Sequence, residues 1–112
     1  MVLKGRIVKK LDEYKVVVNI GYIDGLKKDM RFIIYEEGEE ITDPETGESL
    51  GRLEIVKAKI KPLHVQERIT IMESANYKKA LFPTLFSDKP IYTQLPLPDS
   101  VKEGDLVRED IS

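Results

Sequence analysis

The chain contains no cysteine and only one histidine, His64. The first absence excludes disulfides, thiolate metal sites and cysteine nucleophiles. The second leaves no partner for a His-based triad or a His-pair zinc site. Gly21, Gly25 and Gly38 fall in no phosphate-binding fingerprint, which argues against a nucleotide enzyme. Long apolar runs are missing as well: nowhere do about 18 apolar residues follow one another, and no membrane span is predicted. From Lys4 onward the N-terminus alternates charged and apolar residues, without the apolar core of a signal peptide. On this reading a complete chain would be cytoplasmic, and a fragment of an exported protein would belong to the envelope. No window keeps a 3.6-residue apolar stripe for three turns, so little helix is expected beyond a turn or two near residues 74–82. An excess of one charge sign is lacking too. With 18 basic against 20 acidic residues the net charge is -2, too small a field to steer nucleic acid or an anionic membrane globally.

What is present suits a single folded domain over residues 1–112. Hydrophobic residues make up 41% and charged residues 34%, on the globular side of the boundary with disorder. The stretch from Ile41 to Ile60 organises the rest. Asp43 can accept a turn hydrogen bond on its side chain, Pro44 has a preset φ, and Gly47 can take the positive φ that closes an Asp-Pro-Glu-Thr-Gly turn. Beyond it Val56, Ala58 and Ile60 alternate with Lys57, Lys59 and Lys61, the pattern of a half-buried strand. Leu53 and Ile55, and later Leu63 and Val65, occupy the other parity. The two changes of phase predict a bulge or bend, as in the strand of a small barrel.

Around that stretch, Leu3–Leu11 and Tyr14–Ile20 read as a hairpin turning at Asp12-Glu13. Met30–Tyr35 reads as a third strand, Glu36–Glu40 as a charged connector, Leu50 to about Gln66 as the long strand and Ile69–Met72 as another. Pro62 marks the long strand's edge or bend. Residues 76–98 stand apart, because Pro83, Pro90, Pro96 and Pro98 interrupt regular structure while large apolar residues persist. The chain closes on Val101-Lys-Glu-Gly-Asp-Leu-Val-Arg108, a turn leading into a last strand. The fold class is all-β: a small SH3-like or related barrel of five to seven strands, with an irregular insertion at 76–98.

Four segments together resemble one family. They are Val16-Val-Val-Asn-Ile-Gly21, Asp24-Gly-Leu-Lys-Lys-Asp-Met-Arg-Phe32, Ile41-Thr-Asp-Pro-Glu-Thr-Gly-Glu-Ser-Leu-Gly51 and Glu103-Gly-Asp-Leu-Val107. They are similar to the C-terminal domain of the flagellar assembly protein T family, over about residues 1–72 and 99–109. The resemblance implies a small β-barrel without catalytic residues that serves as a structural or interaction module in envelope and flagellar-basal-body proteins. It implies no substrate and no cofactor. The Pro-rich segment before the last strand is a departure from that pattern.

Seven carboxylates from Glu36 to Glu48 could gather a hard cation, but they match no EF-hand loop and read as a solvated hairpin whose Asp43 serves the turn. His64 falls at an exposed strand position by parity. Lys57, Lys59 and Lys61 form a basic stripe that could follow a phosphate backbone, which is the alternative reading of the protein as a nucleic-acid-binding barrel. Stacking aromatics are not interleaved with these lysines, so no nucleic-acid binding is expected. The leading reading is a non-enzymatic interaction or assembly module. A protein partner or second copy would contact residues 76–98 through Tyr77, Leu81, Phe82, Leu85 and Phe86.

Overall fold

The computed structural model describes residues 2–80 and 90–111. Among these are eight strands: β1 (Lys4–Lys10), β2 (Lys15–Val18), β3 (Phe32–Thr42), β4 (Ser49–Val65), β5 (Thr70–Ser74), β6 (Tyr77–Lys79), β7 (Tyr92–Gln94) and β8 (Leu106–Glu109). The fold is all-β, as expected, and no helix among the described residues is long and apolar enough to cross a membrane. Six strands form one antiparallel sheet in the order β1-β2-β5-β4-β3-β8. Because β8 pairs with β3 on one side and with β1 on the other, the ladder returns to its starting strand. β6 and β7 form a separate two-stranded ribbon.

The inward residues of the sheet make one apolar core of Ile7, Val16, Val18, Phe32, Ile34, Ala58, Ile60, Met72 and Val107, completed by Ile20, Leu26, Leu97 and Val101 from the connections. The β1–β2 hairpin turns where expected. Asp12 accepts hydrogen bonds on Oδ1 from the backbone N–H of Tyr14 at 2.7 Å and of Lys15 at 2.9 Å. A 3-10 turn at Tyr22–Asp24 then carries the chain past the β4–β5 reversal, where Tyr22 and Ile23 donate to the carbonyls of Gln66 and Glu67 at 3.0 and 3.2 Å. Gly21 permits this approach, since a Cβ there would overlap both carbonyl oxygens.

Both phase changes in the long strand are bulges. The β3–β4 pairing steps from Ile34↔Ala58 to Tyr35↔Val56, leaving Lys57 as the extra residue. The β4–β5 pairing steps from Pro62↔Met72 to His64↔Ile71, leaving Leu63 extra. The second bulge turns Val65 back against the core while Leu63 and His64 stay exposed, and it follows directly on Pro62, which is buried. The first bulge has the opposite result for Val56. Expected inward with Ala58 and Ile60, it is 53% exposed, because the step at Lys57 moves it to the face of Tyr35.

Three further expectations are corrected. Glu36–Glu40 is not a connector: β3 continues through it to Thr42, since pairing with β4 supplies its backbone hydrogen bonds without burial of its side chains. The helical turn near 74–82 is absent over its described part, where Ser74 ends β5 and Tyr77–Lys79 is a strand. The insertion at 76–98 is more regular than its prolines suggest. β6 and β7 pair within it, with Leu95 N–H donating to Asn76 O at 2.8 Å, and Leu97 belongs to the core at 3% exposure.

Candidate interaction site

The sequence-predicted contact segment is built on the β6–β7 ribbon, whose register pairs Tyr77 with Gln94, Lys78 with Thr93 and Lys79 with Tyr92. Its root is fixed to the sheet at several points. Gln94 Nε2 donates to Ser74 O at 2.9 Å, Leu97 N–H donates to Glu13 O at 2.7 Å, and the Leu97 side chain fills the core. Its exposed surface is apolar and aromatic: Tyr77, Ile91, Tyr92 and Leu95 are between 37% and 58% accessible. Lys61 Nζ lies 5.0 Å from the centroid of the Tyr77 ring, a cation–π distance that holds the ring in place. Leu81, Phe82, Leu85 and Phe86 fall outside the described residues.

The lysine stripe does not present three ammoniums to a common partner. Lys57 Nζ is drawn inward at the first bulge and donates to Asp105 Oδ1 and Oδ2 at 3.0 and 2.9 Å and to Ser100 O at 2.8 Å. Both side chains are buried, with exposures of 6% and 3%, and Glu36 approaches the ammonium at 3.6 Å. Burial alone would lower the pKa of Lys57, but the hydrogen bond and charge of Asp105, with Glu36, outweigh it and raise it above the ordinary value of 10.5. Lys61 is engaged by Tyr77 and by Glu73 at 3.6 Å, and its pKa is raised chiefly through Tyr77. Lys59 is exposed.

The residues that sequence reading missed lie on the β3–β4 hairpin. Beyond Tyr35 and Val56 this ribbon leaves the sheet as an arm, and Ile41, Leu50, Leu53 and Ile55 are 37 to 66% exposed on it. The pairing Ile55↔Glu36 puts these two side chains on one face, and Glu37↔Glu54 puts the next pair on the other. The second face is tied at its root. Arg108 Nε and Nη2 bind Glu54 with a shortest distance of 2.9 Å, Arg108 lies 5.9 Å from the Tyr35 ring, and Arg52 reaches Glu37 at 3.6 Å. The Arg108 hydrogen bonds hold the Glu54 carboxyl below its ordinary pKa against a smaller desolvation, while burial and then Glu54 push the Tyr35 phenol up. The signal available in the sequence was the opposite parity of Leu53 and Ile55.

A shallow groove opens between the arm's root and the loop before β8, lined by Glu36, Ile55, Val56, Lys57, Pro98 and Lys102. The arm's carboxylates spread along it, and among the described residues no group of three or more His, Asp or Glu side chains is gathered as a metal ion requires. His64 is exposed on the outer face. No family model matches the chain, and no curated protein or solved structure matches it significantly.

Proposed function

We propose that the protein is a non-enzymatic interaction or assembly module built on a small barrel of the SH3-like kind, similar to envelope and flagellar-assembly-associated domains. Its contact with another chain is made by the β6–β7 ribbon and the segment that the ribbon carries. One observation supports this most: Tyr77, Ile91, Tyr92 and Leu95 cluster on a ribbon that stands apart from the main sheet yet is rooted in it through Leu97 and Gln94. Exposed apolar clusters of this kind mark interfaces, and aromatic residues are enriched in them. A rooted ribbon also loses less conformational entropy on binding than a free loop.

Replacing residues 81–89 by Asn-Gly, which with Pro90 leaves a three-residue loop between the paired Ala80 and Ile91, tests the reading. The replacement leaves circular dichroism and cooperative melting unchanged, because β6, β7 and Leu97 are retained. It removes capture of a partner by the immobilised protein. Loss of cooperative melting makes the segment part of the core, and capture that survives both this replacement and Tyr77→Ser with Tyr92→Ser moves the contact elsewhere; either result ends the proposal.

A further inference from the structure

The charge of the molecule is segregated to a degree that the net value conceals. Residues 36–55, the arm, carry eight carboxylates against the single Arg52, a net of -7. With -2 over the whole chain, the remainder carries +5. The arm's ion pairs lie at its root, on Glu36, Glu37 and Glu54, whereas Glu39, Glu40, Glu45 and Glu48 stand exposed toward the tip beside Ile41 and Leu50. The outer face of β1 has the complementary composition. Lys4, Arg6 and Lys9 are exposed there, and Val8 and Leu11 among them are 43% and 42% accessible. Val8 stands out because the β1–β2 register slips between Ile7 and Lys9. The two surfaces are neighbours at the arm's root, since Lys4, Arg6, Tyr35 and Glu37 line one surface depression.

We propose that the arm of one copy docks on the β1 face of a second copy, and that the reverse contact forms at the same time. An arm rising beside β1 permits this under a two-fold axis, so the interface is self-complementary and closes as a dimer. Stable interfaces bury roughly 1,200 Å² or more in total, so each of two equivalent arm contacts has to bury only about half of that. Exposed Leu50 and Leu53 on the arm meet Val8 and Leu11, while the carboxylates around the first pair face the cations around the second. Because the facing charges are exposed, their attraction is screened by salt, and the contact weakens as the salt concentration rises.

The test is sedimentation of the whole chain and of two charge-reversed variants, E39K/E40K/E45K on the arm and K4E/R6E/K9E on β1. The parent sediments as a dimer at about 10 mM salt and as a monomer at about 1 M, where the Debye length has fallen from about 30 to about 3 Å. Each variant alone is monomeric at low salt, and an equimolar mixture of the two recovers a dimer. A parent that is monomeric at low salt overturns the proposal, and would leave the carboxylates as a solubilising coat. So does a dimer indifferent to both reversals, or a mixture that stays monomeric. If a triple variant loses its melting transition, E45K mixed with K9E runs the same exchange. The 81–89 replacement dimerises like the parent under this proposal, so failure of arm docking and failure of the β6–β7 contact are read separately.

Discussion

At the scale of single residues, the buried Lys57–Asp105 pair carries the most consequence. It joins the bulge in β4 to the loop before β8, and Asp105 Oδ2 also accepts from Lys102 N–H at 2.9 Å. Asp105→Asn leaves the buried ammonium with only the more distant and more exposed Glu36 carboxylate as counter-charge, and the expected loss is about 3 kcal/mol, read from denaturant midpoints. A variant within about 0.5 kcal/mol of the parent would show that Lys57 escapes to water. The pH dependence follows from the upward shift of Lys57. Its contribution is complete below its unfolded pKa and is lost as pH rises through the higher folded value, so this contribution fades only at strongly alkaline pH. In Asp105→Asn the weakening starts at lower pH, because burial remains and the largest opposing cause is gone. Glu54 works at the other end of the scale. With its pKa held below 4.5, it stabilises above that value and the contribution is lost on acidification through the folded pKa. The pair is partly exposed, so Glu54→Gln should cost less than about 1 kcal/mol at neutral pH and flatten the acid limb of the stability profile.

Gly47 closes the arm's turn at φ +75°, with Gly47 N–H donating to Asp43 O at 2.8 Å and Glu45 N–H to Asp43 Oδ1 at 2.8 Å. A Cβ there meets nothing within 4 Å, so the cost of Gly47→Val is purely conformational, about 1 kcal/mol. Because the turn lies far from the core, the loss should appear as roughly five-fold faster hydrogen exchange at Asp43, whose N–H donates to Glu48 O across the turn, with the global midpoint nearly unmoved. A midpoint that falls by the whole amount would mean that arm and sheet unfold as one unit.

At the scale of elements, Leu97 decides how the 76–98 segment can be cut. Leu97→Ala should cost about 2–4 kcal/mol, whereas the Asn-Gly replacement of residues 81–89 should cost little, and the two midpoints together separate root from tip. If Leu97→Ala proves neutral, the connection into β8 does not seal the core. The positions of β1, β2, β5 and β8, and of β4 from Lys57 onward, were legible in the sequence, because each has one face toward the core and so alternates in burial. Both bulges were legible too, as changes of parity, although the first was read between Ile55 and Val56 and lies at Lys57. The far half of β3 was not: Glu36–Glu40 gains its hydrogen bonds from β4 with both faces wet, and hydropathy records burial, not pairing. The Lys57–Asp105 contact was hidden because it spans 48 residues and leaves no local pattern. For the candidate site, Tyr77, Ile91 and Tyr92 were legible as apolar residues in a Pro-rich stretch, while the arm's Leu50 and Leu53 emerge only once the β3–β4 ribbon is seen to leave the sheet.

At the scale of the whole molecule, the two ribbons determine the shape. The radius of gyration is 16.9 Å and the extents are 60 × 37 × 25 Å, against about 13 Å for a compact domain near this length. Small-angle scattering at high salt should return an elongated particle, and a value near 13 Å would mean that the arm folds back on the sheet. Where the ladder closes, Glu109 N–H donates to Leu3 O at 2.9 Å and Lys4 pairs with Arg108. The first and last strands are therefore side by side, and the order in which the chain visits the sheet is not essential to its architecture. A short Gly/Ser bridge from residue 109 to residue 3, with new ends opened between Glu45 and Thr46, would trace the same core in a different sequence order. The chain is thus a natural substrate for circular permutation, and the tip of its arm is the place to open it.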